Sequence, residues 1–182
     1  MRRLRWIYMV NGLLFFVLLL VFLRIFLFTP VIVKGDSMDS TLVNGQQILT
    51  VSHTKIKRFD IITFLAPDEE NTNYIKRVIG LPGDEIEYKN DILYINKKAY
   101  AEPYLDENKN KYAASLPLTN DFTLTELYGL NKVPEGMYFV LGDNRPVSKD
   151  SRYAEVGFID EKAILGDARF GFFPLNRIGE IK

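Results

Sequence analysis

The architecture of this chain is set by residues 7–28, IYMVNGLLFFVLLLVFLRIFLF. A helix over this stretch would be about 33 Å long at about 1.5 Å per residue, which matches a bilayer core of about 30 Å. A buried helix of a soluble domain is the alternative, but such a helix is usually amphipathic and this stretch is apolar on every side. The stretch therefore predicts a transmembrane anchor over residues 7–28.

The residues on either side of the anchor predict its orientation. Arg2, Arg3 and Arg5 precede it, and an excess of basic residues marks the cytoplasmic side of a membrane segment. Residues 1–6 are therefore expected in the cytoplasm and residues 31–182 outside, with one crossing of the cell membrane. A removable signal peptide is disfavoured because the apolar run is too long and bulky residues, not small ones, follow it.

Short β-like runs fill the chain beyond the anchor. Pro30 is expected to end the anchor helix, and no long helical pattern follows it. The predicted fold class is mainly β, with an N-terminal transmembrane helix followed by a folded antiparallel β-sheet domain that carries a smaller inserted subdomain. The predicted strands are residues 31–33, 47–51, 61–65, 74–79, 85–88, 92–95, 137–141 and 163–173.

Two local patterns refine this prediction. The segment Lys89-Asn90-Asp91 separates β-like runs at 86–88 and 92–95, which is typical of a hairpin. Residues 101–134 are rich in asparagine and show weak periodicity, so we expect an insertion there, partly irregular, with one short helix over 123–128.

Composition excludes several classes of function. Lysines plus arginines number 23 and aspartates plus glutamates also number 23, so there is no basic surface and nucleic acid is not an expected partner. The chain has no cysteine, which excludes a thiolate nucleophile and a disulfide framework. Asp143, Asp150 and Asp167 lack neighbouring histidines or cysteines, so neither a metal nor a cofactor is predicted.

The choice of candidate catalytic groups is narrow. A Ser–His–Asp triad would have to use His53, the one histidine, and its polar surroundings favour an exposed loop residue. A serine hydroxyl still needs a base in contact with it. Ser37, about nine residues beyond the anchor, and Lys76 are the candidate pair.

Lys76 can act as a base only if it is neutral. An ordinary lysine pKa of about 10.4 must fall by roughly three pH units, at a cost of about 4 kcal/mol, and burial can supply an effect of that size. Alternation along the predicted strand puts Tyr74, Lys76 and Val78 on one face and Arg77 on the other. Arg77 can then make the ionic contacts while Lys76 points into an apolar pocket.

Three segments carry a family resemblance. Residues 35–42, GDSMDSTL, resemble the nucleophile motif S-M-x-P-T-L of bacterial type I signal peptidases, the Ser/Lys leader peptidases. Residues 74–84, YIKRVIGLPGD, resemble the lysine motif K-R-V-x-G-x-P-G-D, and residues 142–152, GDNRPVSKDSR, resemble G-D-N-R-x-x-S-x-D-S-R. The motifs stand in the family's order behind one anchor, as in the short Gram-positive form.

The resemblance implies a catalytic role for each of two residues. Ser37 would be the nucleophile, with its backbone N–H directed at the oxyanion, and Lys76 would be the general base. Met38 and Gly35 flank the nucleophile as supporting residues. Some relatives carry a side-chain hydroxyl at the position of Gly35, so a second donor of that type is missing here, or backbone and water replace it.

Supporting contacts are implied around the lysine. Ser148 would hydrogen-bond to Lys76. Asp150 would pair with Arg152 and Arg77 in an ion cluster beneath the site.

The resemblance also implies substrates and partners. The domain at 31–182 would be an extracytoplasmic serine endopeptidase that removes signal peptides from exported preproteins at Ala-x-Ala-like sites. The lipid bilayer would hold the anchor, and the secretion translocon is a further candidate partner.

Two departures from the motifs support a different hypothesis. Ser40 stands where the family has proline, and Pro146-Val147 where Asp-Asn is common. The alternative is a weak or inactive homologue, a membrane-tethered domain that binds extended peptides. A self-cleaving regulator of the related repressor type is disfavoured, because no DNA-binding segment precedes residue 31.

Overall fold

The computed structural model describes residues 2–26, 28–113 and 117–181 as a helix followed by two antiparallel sheets. Helix α1 spans Arg2–Phe26 and is about 37 Å long. Its window Arg5–Phe22 is long and apolar enough to cross a membrane, and none of that window is buried against the rest of the chain.

The anchor helix ends earlier than its sequence predicts. Strand β1, Phe28–Ile32, follows α1 almost directly, so Pro30 lies inside a strand rather than at the end of the helix. Proline is tolerated in this strand because β1 is at the edge of its sheet, where a missing N–H does not break a ladder. The first strand of the sheet therefore begins within two residues of the end of the helix.

After β1, the strands of the larger sheet are β2 Gln47–Val51, β3 Ile61–Leu65, β4 Asn73–Gly80, β9 Met137–Leu141, β10 Ile159–Asp160, β11 Ile164–Phe173 and β12 Gly179–Glu180. Their order is β1-β2-β11-β3-β4-β9-β10, with β12 paired to β11. Every pairing is antiparallel. The predicted strands at 47–51, 61–65 and 137–141 are confirmed with the same bounds.

The smaller sheet contains β5 Ile86–Lys89, β6 Ile92–Ile95, β7 Lys98–Tyr100 and β8 Phe122–Thr123 in the order β7-β6-β5-β8. The predicted hairpin is confirmed as β5 and β6. Asn90 and Asp91 form its turn with φ of 52° and 59°, the left-handed values of a tight two-residue hairpin loop.

The insertion between β4 and β9 is larger than predicted. Three strands of the smaller sheet come before residue 101, so the segment that leaves the larger sheet starts well ahead of the predicted 101–134. Two short helices lie within it, α2 at Asp106–Lys111 and α3 at Leu124–Tyr128. The predicted short helix is α3, and Thr123 caps it in a capping box with Glu126.

Strand β4 is the centre of the core. Its residues Ile75, Val78 and Ile79 belong to three different apolar clusters. Ile79 packs in the cluster shared with the smaller sheet, Val78 packs against the other face of the larger sheet, and Ile75 packs beneath the segment after β1. A side chain on the second half of this strand is therefore buried on whichever face it lies.

A buried ion pair ties the insertion to the larger sheet. Arg145 Nη2 lies 2.7 Å from Glu102 Oε1, and neither side chain has significant exposure. The hydroxyls of Tyr88 and Tyr104 donate to the same carboxylate over 2.6 Å, and Arg145 Nη1 donates to Thr119 Oγ1 over 2.9 Å. Removing one member would leave the opposite charge buried without compensation.

We expect Glu102→Gln to lower the free energy of unfolding by about 3–5 kcal/mol, because the Arg145 guanidinium would stay buried without a counter-charge. Denaturant unfolding of the full chain in detergent measures this. The matched control is Glu107→Gln, which changes an exposed residue of α2 and should have an effect within about 0.5 kcal/mol. Equal stabilities for the two variants would contradict the expectation.

Candidate active site

The structure brings Ser37 and Lys76 into contact. Lys76 Nζ lies 2.7 Å from Ser37 Oγ, although the two residues are 39 positions apart. Lys76 projects from the central strand β4, whereas Ser37 lies in the turn that follows β1. Met38 is fully buried in the cluster that also contains Ile75, so it presses this turn onto β4.

Lys76 occupies a dry environment. Its side chain is 4% exposed, and its Nζ lies 5.3 Å from the centre of the Tyr74 ring. Burial lowers the pKa of Lys76 to about 8, and the negative charges of Asp150 and Asp143 oppose part of this effect. A large fraction of the amine is therefore neutral near pH 8 and can accept a proton from the hydroxyl in contact with it.

A cleft of about 960 Å³ opens over this pair. One wall is formed by residues 29–38, which are β1 and the turn that follows it, and the other by residues 71–76. Glu69, Val147 and Lys149 also line the cleft. His53 does not line this cleft; it lies in the loop after β2 and lines a different, smaller cavity. The one histidine of the chain is thus away from Ser37, as its sequence context favours.

The turn at Ser37 is held against residues 142–152 by close packing. A Cβ built on Gly142 would overlap both the Ser148 hydroxyl and the Ser37 carbonyl oxygen, so only glycine fits there. Thr41 Oγ1 donates to Asp143 Oδ2 over 2.6 Å. These contacts join two of the three sequence motifs at Ser37.

Ser148 differs from its predicted role. Its hydroxyl is buried and has no hydrogen-bond partner among the described residues, so the predicted hydrogen bond to Lys76 is not formed. The reason is its direction, because Ser148 Oγ packs against Gly142. Ser148 therefore packs closely against Gly142, and its hydroxyl does not hold the amine.

The predicted ion cluster is two separate pairs. Asp150 pairs with Arg152 over 2.8 and 2.9 Å, and its Oδ2 also accepts from the Gly142 N–H. Arg77, however, binds Asp143, with contacts of 2.9 Å from Nε and 2.7 Å from Nη2. The prediction that Arg77 pairs with Asp150 is wrong, because strand alternation directs Arg77 to the opposite face of β4 from Lys76.

Gly35 has a conformational role that its sequence position does not reveal. Its φ is +79°, a left-handed value that favours glycine, and its N–H donates to Asn44 Oδ1 over 3.1 Å. A residue with a side-chain hydroxyl would be strained at this position.

Asn108 is a site residue for which the sequence has no signal. It lies in the polar helix DENKNK, yet its side chain is 0% exposed. Its Nδ2 donates to the backbone carbonyls of Asp39 and Asp143, over 2.6 and 2.9 Å. Together with Arg177, which donates to the Ser40 carbonyl over 3.0 Å, it holds the turn at the position where the family has proline.

Comparison with known proteins identifies the family. The family described as "Signal peptidase, peptidase S26" matches residues 4–173. The chain belongs to this family. The peptidase is 47% identical over 174 residues to "Signal peptidase I" of Bacillus licheniformis, an alignment that covers 93% of this chain and 89% of the relative.

Other relatives agree with this assignment. "Signal peptidase IB" of Staphylococcus aureus strain N315 is 42% identical over 159 residues, covering 83% of the peptidase and 81% of the relative. The crystal structure of a signal peptidase I from Enterococcus faecalis V583 superposes with a TM-score of 0.59 at 47% identity, covering 64% of this chain and 98% of that one. The motifs that carry the sequence resemblance thus lie in a chain of the expected family and fold.

The pH dependence of the peptidase should follow Lys76. Below its pKa of about 8 the amine is protonated, so kcat/KM should rise about tenfold per pH unit up to that value and level off above it. Steady-state cleavage assays between pH 6 and 9.5 measure the profile, with circular dichroism at each pH as the control for folding. A flat profile over this range would contradict the assignment of the titrating group.

Asn108→Ala should weaken both the fold and the turn that contains Ser37. The carbonyls of Asp39 and Asp143 would lose this donor. We expect this loss to lower the free energy of unfolding by about 1–3 kcal/mol and to reduce kcat. Asn110→Ala is the matched control, because Asn110 lies in the same helix and is exposed. Unfolding curves and cleavage rates that are the same for the two variants would show that Asn108 does not support the turn.

Proposed function

We propose that this peptidase removes signal peptides from exported preproteins, with Ser37 as the nucleophile and Lys76 as the general base. The observation that carries the proposal is the 2.7 Å contact between Lys76 Nζ and Ser37 Oγ at the floor of an open cleft. The names of the relatives support the substrate class.

The proposed reaction proceeds through an ester. Neutral Lys76 takes the proton from Ser37 Oγ as the oxygen attacks the carbonyl carbon of the scissile peptide bond. The resulting oxyanion accepts a hydrogen bond from the Ser37 N–H. The Lys76 ammonium then gives its proton to the leaving amine, which departs as the N-terminus of the mature protein. Lys76 next activates a water molecule, which cleaves the ester and releases the signal peptide with a free carboxylate.

Two free strand edges support an extended substrate. β1 is at the edge of its sheet. β4 pairs with β9 only from Arg77 onward, so one edge of residues 73–76 is free among the described strands. A substrate strand in the cleft could pair with both edges by main-chain hydrogen bonds. The small residues of an Ala-x-Ala site would then fit beside the apolar side chains of Val31 and Ile75, which line the cleft.

The anchor supports cleavage at a membrane surface. Because β1 starts within two residues of α1, the cleft begins close to the end of the membrane segment. We propose a single crossing of the cell membrane, with Arg2, Arg3 and Arg5 in the cytoplasm and the sheets on the outer side. A preprotein whose signal peptide is still in the bilayer would present its cleavage site at this level, and the secretion translocon would deliver it.

The test uses the full chain in detergent with a preprotein that bears an Ala-x-Ala site. We expect cleavage at that site by the wild type. Ser37→Ala, Lys76→Ala and Lys76→Arg should each lose at least about 10³-fold in rate, since none retains both a hydroxyl nucleophile and a neutral amine. Mass spectrometry of the mature N-terminus measures the cleavage position.

The matched control is Lys132→Ala, which removes an exposed lysine and should cleave like the wild type. Cleavage that survives Ser37→Ala would refute the assigned nucleophile. A folded wild type that leaves the preprotein intact, beside a working control enzyme, would favour the non-catalytic peptide-binding homologue.

A further inference from the structure

Asn144 connects the segment 142–152 to both peptide bonds around the nucleophile. Its Nδ2 donates to the carbonyl oxygen of Asp36 over 3.0 Å, and its backbone N–H donates to the carbonyl oxygen of Ser37, also over 3.0 Å. The side chain is buried, at 3% exposure. The Asp36 carbonyl has a second donor in the N–H of Asp39, but Asp39 belongs to the same turn and moves with it.

The contact with Asp36 determines where the Ser37 N–H points. The Asp36 carbonyl and the Ser37 N–H belong to one planar trans peptide unit, in which the two groups point in opposite directions. Because the Asn144 amide binds the Asp36 carbonyl from one side, the Ser37 N–H points to the opposite side. Asp36 and Ser37 line the cleft and Asn144 does not, so the other side is the cleft.

The Ser37 N–H is available for a ligand. Within residues 2–26, 28–113 and 117–181 it has no hydrogen-bond acceptor. The oxyanion of an attacked carbonyl would form next to Ser37 Oγ, on the same residue. With glycine at position 35 in a left-handed conformation, no side-chain hydroxyl from that position can share the charge.

The side-chain amide of Asn144 acts here only as a donor. Its Oδ1 is buried and has no partner among the described residues, which costs free energy. The reverse orientation of the amide would place Oδ1 against the Asp36 carbonyl oxygen, two acceptors in contact. A residue that only filled space here would not need the amide.

We infer that Asn144 is a positioning residue that orients the Ser37 N–H as the oxyanion donor. It acts through the Asp36–Ser37 peptide and does not touch substrate. The inference rests on the proposed function, because it concerns the transition state of the same reaction.

The test compares Asn144→Ala and Asn144→Asp with the wild type in the preprotein assay. Loss of one oxyanion donor costs about 10²–10³-fold in kcat, so loosening that donor should cost about 10–100-fold in Asn144→Ala. Asn144→Asp should lose more, because its carboxylate would repel the Asp36 carbonyl. KM should stay within about twofold, since the donor acts in the transition state and not on bound substrate.

Two further readouts separate positioning from general damage. The pH midpoint of kcat/KM should not move, because Asn144 carries no charge and its hydrogen bonds go to the carbonyls of Asp36 and Ser37, not to Lys76. Asn120→Ala, at an exposed position, is the matched control for an asparagine substitution and should leave all parameters unchanged. An unchanged kcat in Asn144→Ala, or a loss in which KM and the pH midpoint move together with kcat, would overturn the inference.

A substrate-free measurement keeps this result separate from the fate of the proposed function. Hydrogen exchange followed by mass spectrometry should show faster exchange across residues 36–42 in Asn144→Ala than in the wild type. If the wild type fails to cleave the preprotein, the proposed function falls, and hydrogen exchange decides the role of Asn144. Unchanged exchange in this segment would then overturn the inference.

Discussion

The central constraint on this structure is that the Lys76 amine stays buried, away from water, beside the Ser37 hydroxyl. Lys76 can be dry because β4 is buried along its second half, with apolar clusters on both faces. The hydroxyl reaches it because the turn after β1 carries Met38 into one of those clusters. Hydrophobic packing thus holds two polar atoms at 2.7 Å, a distance that two exposed flexible side chains would not keep.

Burial of the Lys76 amine lowers the stability of the folded chain. In the unfolded chain Lys76 keeps its proton up to a pKa of 10.5, whereas burial lowers its pKa to about 8 in the folded chain. Between these two pKa values the unfolded state binds more protons than the folded state, so the stability of the fold rises with pH. Below about pH 8 the amine is protonated in both states, and its burial lowers the stability by the full amount of about 3 kcal/mol. The buried pairs of Arg77 with Asp143 and Arg145 with Glu102 lie on the elements that support this pocket.

Polar contacts around Ser37 come from three distant segments. The carbonyls near Ser37 are held by Asn108 from the insertion and by Asn144 from the segment before β10. Arg177, near the C-terminal end of β11, holds the carbonyl of Ser40. A turn without the family's proline is in this way fixed by donors from outside it. The insertion is thereby part of the support of the site, although none of its described residues lines the cleft.

Periodicity and turn chemistry in the sequence determined five strands of the larger sheet, β2, β3, β4, β9 and β11. They also determined the β5–β6 hairpin and the short helix α3, because these elements depend on local contacts. The motifs also determined which serine and lysine belong together. Only the tertiary structure decided that Pro30 lies in an edge strand, that Arg77 binds Asp143, that the Ser148 hydroxyl does not bond to Lys76, and that Asn108 is buried. The physical reason is that a partner across the fold depends on how the sheets and the insertion pack, and no local pattern of residues records that packing.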